Sequence, residues 1–311
     1  MRFDRVDQVR VTTLVENSVN PFQEEKDGVQ RRDPDRGEFL AEHGWAALIE
    51  TTVGGEKHTI LLDAGLSETA LLHNMVCLRI NPASLEALVI SHGHGDHTGS
   101  VTEVVWRAGK PLPIYVHPAA FRERWRIPPD GPRRGPWRIE REAWESASGQ
   151  VVATESPCQI SPGCVVTGGV PRTTDFERTP EHLYYRENDT FHPDTLTDDQ
   201  SVAVLVKDKG LVVISGCAHA GIVNTVRYVQ QITGEERVWA VAGGFHLGRA
   251  SKECIEATIA GLKAVRPTIV APGHCTGFEA LCAFAGAMPD QFVLNVVGTV
   301  IHTEETEGDE A

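Results

Sequence analysis

The run "LVISHGHGDHTGS", Leu88 to Ser100, sets three histidines and one aspartate within six residues on a glycine-rich loop. Few folds tolerate that density of metal-grade donors. His92 and His94 alternate along an extended segment, so both side chains can face one ion. Asp96 and His97 come one step later, where the helical pattern "TGSVTEVVW" begins, and would face a second ion. Imidazole and carboxylate suit zinc, with iron or manganese as alternatives. Gly93 and Gly95 are expected to let the backbone bend between the donors.

Where the chain places its other unusual residues sharpens this. Short apolar runs read as strands at 9–17, 45–52, 58–65, 85–91, 113–118, 201–208, 211–216, 238–244, 268–273 and 292–303. Several are continuous, as expected for strands covered on both faces. Helical patterns lie between them at 68–79, 99–108, 222–232, 252–265 and 277–286. In one, Ile255, Ile259, Leu262 and Val265 make a single apolar face. Helices on sheets imply a layered α/β fold. Asp63, His92, Cys217 with His219, His246 and His274 all stand at or just beyond a strand's C-terminal end. In such folds those ends gather on one edge, where ligands bind. Asp63 is expected not to touch metal but to accept a ring N–H and fix a histidine tautomer.

Composition bounds the partners. The net charge of −14 argues against gripping a phosphate backbone, which needs a basic footprint. A small phosphorylated substrate remains compatible. No apolar run reads as a signal peptide or a membrane span, so no membrane association is expected. The seven cysteines lack CxxC pairing and read as reduced thiols of a cytoplasmic protein.

One domain is expected over 1–302, with insertions near 121–149 and 171–200 and an acidic tail at 303–311. The first insertion is dense in arginine, proline and tryptophan and suggests an ordered cover able to hold an anion. The second is polar and reads as nearly strandless.

"SHGHGDH" matches the HxHxDH signature of the metallo-β-lactamase superfamily. The preceding "LLDAG" and a late histidine after a strand follow in the order that family shows. "EHGWA" (42–46), "DDQS" (198–201), "SGCAHAGIVNTV" (215–226), "AGGFHLG" (242–248) and "PGHCTG" (272–277) resemble one subgroup of it, the dihydropterin-methyl-ribofuranosylaminobenzene 5′-phosphate synthases. The resemblance covers most of the chain. It implies a four-layer αββα sandwich with two divalent ions at the edge between the sheets. His92, His94 and His219 resemble the ligands of the first ion, and Asp96, His97 and His274 those of the second.

Two departures stand out. Many members of the superfamily carry a bridging aspartate where this chain has Cys217: either the thiol ligates a metal or, the preferred reading, it is buried and water alone bridges. An earlier third histidine has no clean counterpart; His192 and Asp199 compete for its place, and His219 ranks above both because it ends a clear strand.

The resulting expectation is a dinuclear metal-dependent hydrolase acting on a small, possibly phosphorylated, ester or lactone. Asp96 and His246 would be its catalytic residues, with His246 as general acid or oxyanion donor. The alternative is a pterin-type synthase joining a dihydropterin pyrophosphate to a ribofuranosylaminobenzene 5′-phosphate. In that case arginines of 121–141 should face the pocket. A nuclease conflicts with the acidic charge, and a flavin-coupled reductase of this fold normally has glutamate where His94 stands. A non-catalytic relative would be expected to have lost ligands.

Overall fold

The computed structural model describes residues 3–179 and 181–304. An eight-stranded sheet runs in the order Val29–Arg31, Thr299–His302, Gln8–Val15, Ala46–Val53, Glu56–Leu62, Ala87–Ile90, Leu112–Val116, Gly149–Ala153. A six-stranded sheet runs Cys158–Ser161, Cys164–Val166, Ser201–Val206, Gly210–Ser215, Val238–Gly244, Ile269–Gly273. Strand alternation sorts side chains into layers. Val212 and Ile214 enter the core between the sheets, together with Trp45, Ile49, Ile60 and Leu62 of the other sheet. Leu211 and Val213 point the opposite way, onto the helices Ile222–Thr233 and Lys252–Val265. On the far side, Leu71, Met75, Val101, Val104 and Val105 cover the eight-stranded sheet. Three apolar interfaces make four layers, the αββα sandwich. Each fully buried Leu or Ile in them contributes about 1.5–3 kcal/mol of transfer free energy.

The parallel strands fix the site. Glu56–Leu62, Ala87–Ile90 and Leu112–Val116 run parallel in one sheet. Gly210–Ser215, Val238–Gly244 and Ile269–Gly273 do so in the other. Their C-terminal ends carry Asp63, His92, Cys217, His246 and His274 to one rim.

Two expectations need correction. The strand read at 292–303 spans only Thr299–His302, because Gly298 adopts φ +90° and turns the chain just before it. The segment 171–200 is not nearly strandless. Leu183–Glu187 and Thr190–Pro193 form a hairpin closed by Asn188 (φ +46°) and Asp189 (φ +63°). Two left-handed residues make the primed turn whose twist matches the strands. This hairpin joins Glu123–Arg126 and Arg134–Trp137 in a small four-stranded sheet, so the two insertions form one unit.

Arg124 ties that unit to the metal-grade loop. Its Nε donates to Asp194 at 2.7 Å and its Nη2 to Asp198 at 2.5 Å. Asp198 also accepts the Gly93 N–H at 2.8 Å. Gly93 is needed here for close approach rather than for bending. A Cβ there would lie 2.1 Å from Arg124 Nη1 and 2.2 Å from the Ala120 carbonyl oxygen. Gly95 starts the short helix Gly95–Thr98.

The first two residues of the expected acidic tail are held against the fold. Thr303 is buried, its N–H bonds the Val9 carbonyl, and Glu304 pairs with Arg10. Residues 305–311 of that tail lie outside the described residues. No helix among the described residues is long and apolar enough to cross a membrane.

Candidate metal centre

Tautomers can be assigned from Asp63 outward. This buried carboxylate accepts the Ser91 N–H at 2.7 Å and the Ser91 hydroxyl at 2.6 Å. Having given its proton away, Ser91 Oγ accepts from His92 Nδ1 at 3.0 Å. His97 Nδ1 donates to Asp63 at 2.6 Å. Both rings therefore turn Nε2 toward the rim, free of a proton whenever the ring is neutral. Asp63 touches no donor atom except through these side chains. On that geometry, Asp63→Ala is expected to weaken metal binding about 10–100-fold and to lower the melting temperature. Competition against a chromophoric chelator reads the first effect; unchanged affinity would remove Asp63 from this role.

The freed lone pairs converge. His92 Nε2 stands 2.9 Å from His94 Nδ1 and 3.1 Å from His219 Nε2. Beside them, Asp96 Oδ2 lies 3.5 Å from His274 Nε2 and 3.9 Å from His97 Nε2. Donors about 2.0–2.1 Å from a tetrahedral zinc would be roughly 3.3–3.4 Å apart. His274 Nε2 is buried with no hydrogen-bond partner among the described residues. Its Nδ1 is turned to Asn17 Oδ1 at 3.3 Å. Ring nitrogens and a carboxylate drawn this close, with the orphaned His274 Nε2 beside them, are a donor set that a cation would satisfy. The residues present fit metal.

For three of the four ring donors named first, electrostatics point the same way. Burial, and then the neighbouring His97 and His94, drives the His92 pKa well down. Burial also lowers His219, and with Arg124 nearby it brings His94 to about 4. These three rings are neutral, as ligands must be. His97 goes the other way. Burial opposes its charge, but Asp63 and Asp96 prevail and raise it to about 9. Asp96 is held below the usual carboxylate range against its burial, chiefly by His97 and His274.

The remaining candidates divide. Cys217 is buried at the junction, with Sγ 3.1 Å from His97 Nε2. His246, at φ +47°, faces the cavity with its ring 4.1 Å from that of His219. Asp199 accepts the Ala220 N–H at 2.8 Å and so supports the turn bearing His219; burial raises it to about 6. His192 is not brought to the centre: it stacks on Tyr185 in the small sheet.

A cavity of about 660 Å³ opens over the rim, with His94, Asp96, His219 and His246 in its wall. Of the arginines expected from 121–141, Arg126 lines it, whereas Arg124 is internal. Arg178 and Arg249 also line it. Neither was singled out from sequence, nor was His43, whose Nε2 is 3.4 Å from Asp96. The motif "EHGWA" carried the only signal for His43.

Residues 41–229 match the model of the metallo-beta-lactamase superfamily. The 7,8-dihydropterin-6-methyl-4-(beta-D-ribofuranosyl)-aminobenzene-5′-phosphate synthase of Methanocaldococcus jannaschii is 33% identical over 305 residues, 97% of this chain and 99% of its own. A crystal structure described as a metal-dependent hydrolase of the beta-lactamase superfamily superposes with TM-score 0.74 at 23% identity, over 96% of this chain and all of the other. A metallo hydrolase of Ignicoccus hospitalis gives TM-score 0.52 at 14% identity, over 96% of this chain and all of the other. At such identities the two structures speak for the fold alone. The expectation of a hydrolase is therefore corrected: the relative that spans nearly the whole chain at 33% identity is a synthase. The pattern of donors and the fold are shared by many chemistries, so neither could have made that distinction.

Proposed function

From the premise that the chain belongs to the metallo-beta-lactamase superfamily, we propose that it is a pterin-type synthase. It would join a dihydropterin pyrophosphate to a ribofuranosylaminobenzene 5′-phosphate. The observation that carries this reading is the shared cavity: Arg126, Arg178 and Arg249 line the same space as the donor cluster. A phosphate monoester and a pyrophosphate both call for forked cationic partners, which guanidinium supplies. Phe176, Leu183, Phe245 and Leu247 give the same cavity apolar wall for flat rings.

His92, His94 and His219 would hold one divalent ion, and Asp96, His97 and His274 a second, with zinc favoured and iron or manganese as alternatives. When bound, such ions supply positive charge that stabilises a departing pyrophosphate. The chain's own groups do the rest. The arginines orient the two phosphorylated substrates so that the amine meets the pterin methylene carbon. The amine lone pair forms the new C–N bond, the C–O bond to pyrophosphate breaks with its electron pair going to oxygen, and the nitrogen sheds a proton. His246, in the cavity wall, would donate a hydrogen bond to the leaving oxygen.

The test is coupling. Metal-loaded protein given both substrates is expected to release pyrophosphate and condensed product in equal amounts, read by mass spectrometry and a pyrophosphate assay. Pyrophosphate release that does not need the amine, or no condensation at all, would overturn the reading.

A further inference from the structure

We propose that the Cys217 thiolate is a protein ligand shared by both metal ions, in place of the water-only bridge expected from sequence. The geometry points there first. Cys217 Sγ lies within 4.8 Å of donor nitrogens of His92 and His219, and equally of His97 and His274. It is the one residue common to those two groups among the described residues. Two further positions are shaped to bring it in. A Cβ at Gly216 would lie 2.0 Å from Ser91 Oγ and 2.7 Å from Asp63 Oδ2, so only glycine lets this turn press against the carboxylate that orients His92 and His97. A Cβ at Gly244 would come 2.4 Å from the Gly216 carbonyl oxygen and 3.2 Å from Cys217 Cα.

Charge gives an independent argument. The first donor set is three neutral imidazoles, and the second holds one carboxylate, Asp96. Two divalent ions about 3.5–4 Å apart repel strongly. An anion between them offsets that repulsion and gives the first ion its only anionic protein ligand. Asp199 is not a member of either converging donor group among the described residues; its Oδ2 accepts the Ala220 N–H and holds the turn that bears His219. A thiolate is a good ligand for zinc and iron and disfavours magnesium or calcium. Thiolate ligation thus also narrows the metal class.

Cobalt(II) substitution tests this without reference to the substrate, so its failure is distinct from failure of the synthase reading. The Co(II) protein is expected to show a thiolate-to-cobalt charge-transfer band in the near ultraviolet. Cys217→Ser should lose the band and bind metal about 10–100-fold more weakly. Cys275→Ser, which removes the other thiol grouped with Cys217 and His246, should keep both. Cys217→Asp should regain two equivalents of metal by elemental analysis with no band. If Cys217→Ser fails to fold, a band retained in Cys275→Ser and absent in Cys217→Asp still carries the assignment. A wild-type Co(II) protein without the band, or a band that survives Cys217→Ser, overturns it.

Discussion

Replacing Arg124 with Ala is expected to lower the unfolding free energy by about 3–5 kcal/mol, the usual loss when one partner leaves a buried ion network. The guanidinium is 4% exposed, Asp194 1% and Asp198 0%. Without it, two buried carboxylates lose their direct ion-pair partner among the described residues, and the Ala119 and Ala120 carbonyls each lose a donor. A surface pair such as Arg141 with Glu145 is different: both side chains are about half exposed, and its loss should hardly register. The effect of Arg124 should also reach the metal centre, because Asp198 holds the N–H of Gly93 between His92 and His94. Denaturant titration and a metal-binding isotherm on Arg124→Ala read the two consequences. A variant as stable as the wild type would show that the two insertions are not anchored this way.

That residue also marks the limit of what sequence revealed. The arginine-rich stretch 121–149 read as a cover able to hold an anion. Arg126 does line the cavity, but Arg124 two residues away is an internal strut, and nothing in the local sequence separates them. Their difference depends on Asp194 and Asp198, 70 and 74 residues distant. The strands that deliver the donors were legible because they are long apolar runs buried on both faces, as in Gly210–Ser215 and Val238–Gly244. The strands of the small sheet were not. They are short, polar and half exposed, as in Thr190–Pro193, so periodicity had little to register. The Asn188–Asp189 turn was the available signal. Spacing likewise paired the histidines able to share an ion, but did not reveal that Cys217 stands between the two groups. That is a matter of distance across two sheets, set by Gly216 and Gly244.

His246→Ala is expected to keep the wild-type metal content yet turn over about 10²–10⁴-fold more slowly, the usual worth of a positioned proton donor. The chain places His246 just past Gly244, with its ring against His219 and its side chain in the cavity wall. A hydrogen bond on the leaving oxygen strengthens only as charge develops there, so the loss should appear in kcat rather than KM. It should shrink for a substrate whose leaving group is a weaker base than pyrophosphate. Backbone strain needs a separate control, because residue 246 has φ +47°. Alanine is poorly suited to that conformation, whereas asparagine visits it readily. His246→Asn should therefore recover any lost melting temperature without recovering the rate. If both variants lose stability but turn over normally, His246 is structural. If His246→Asn loses a metal equivalent, the ring is itself a ligand. In that case its packing on His219 reflects a shared ion, and the assignment of His219 to the first ion has to be redrawn.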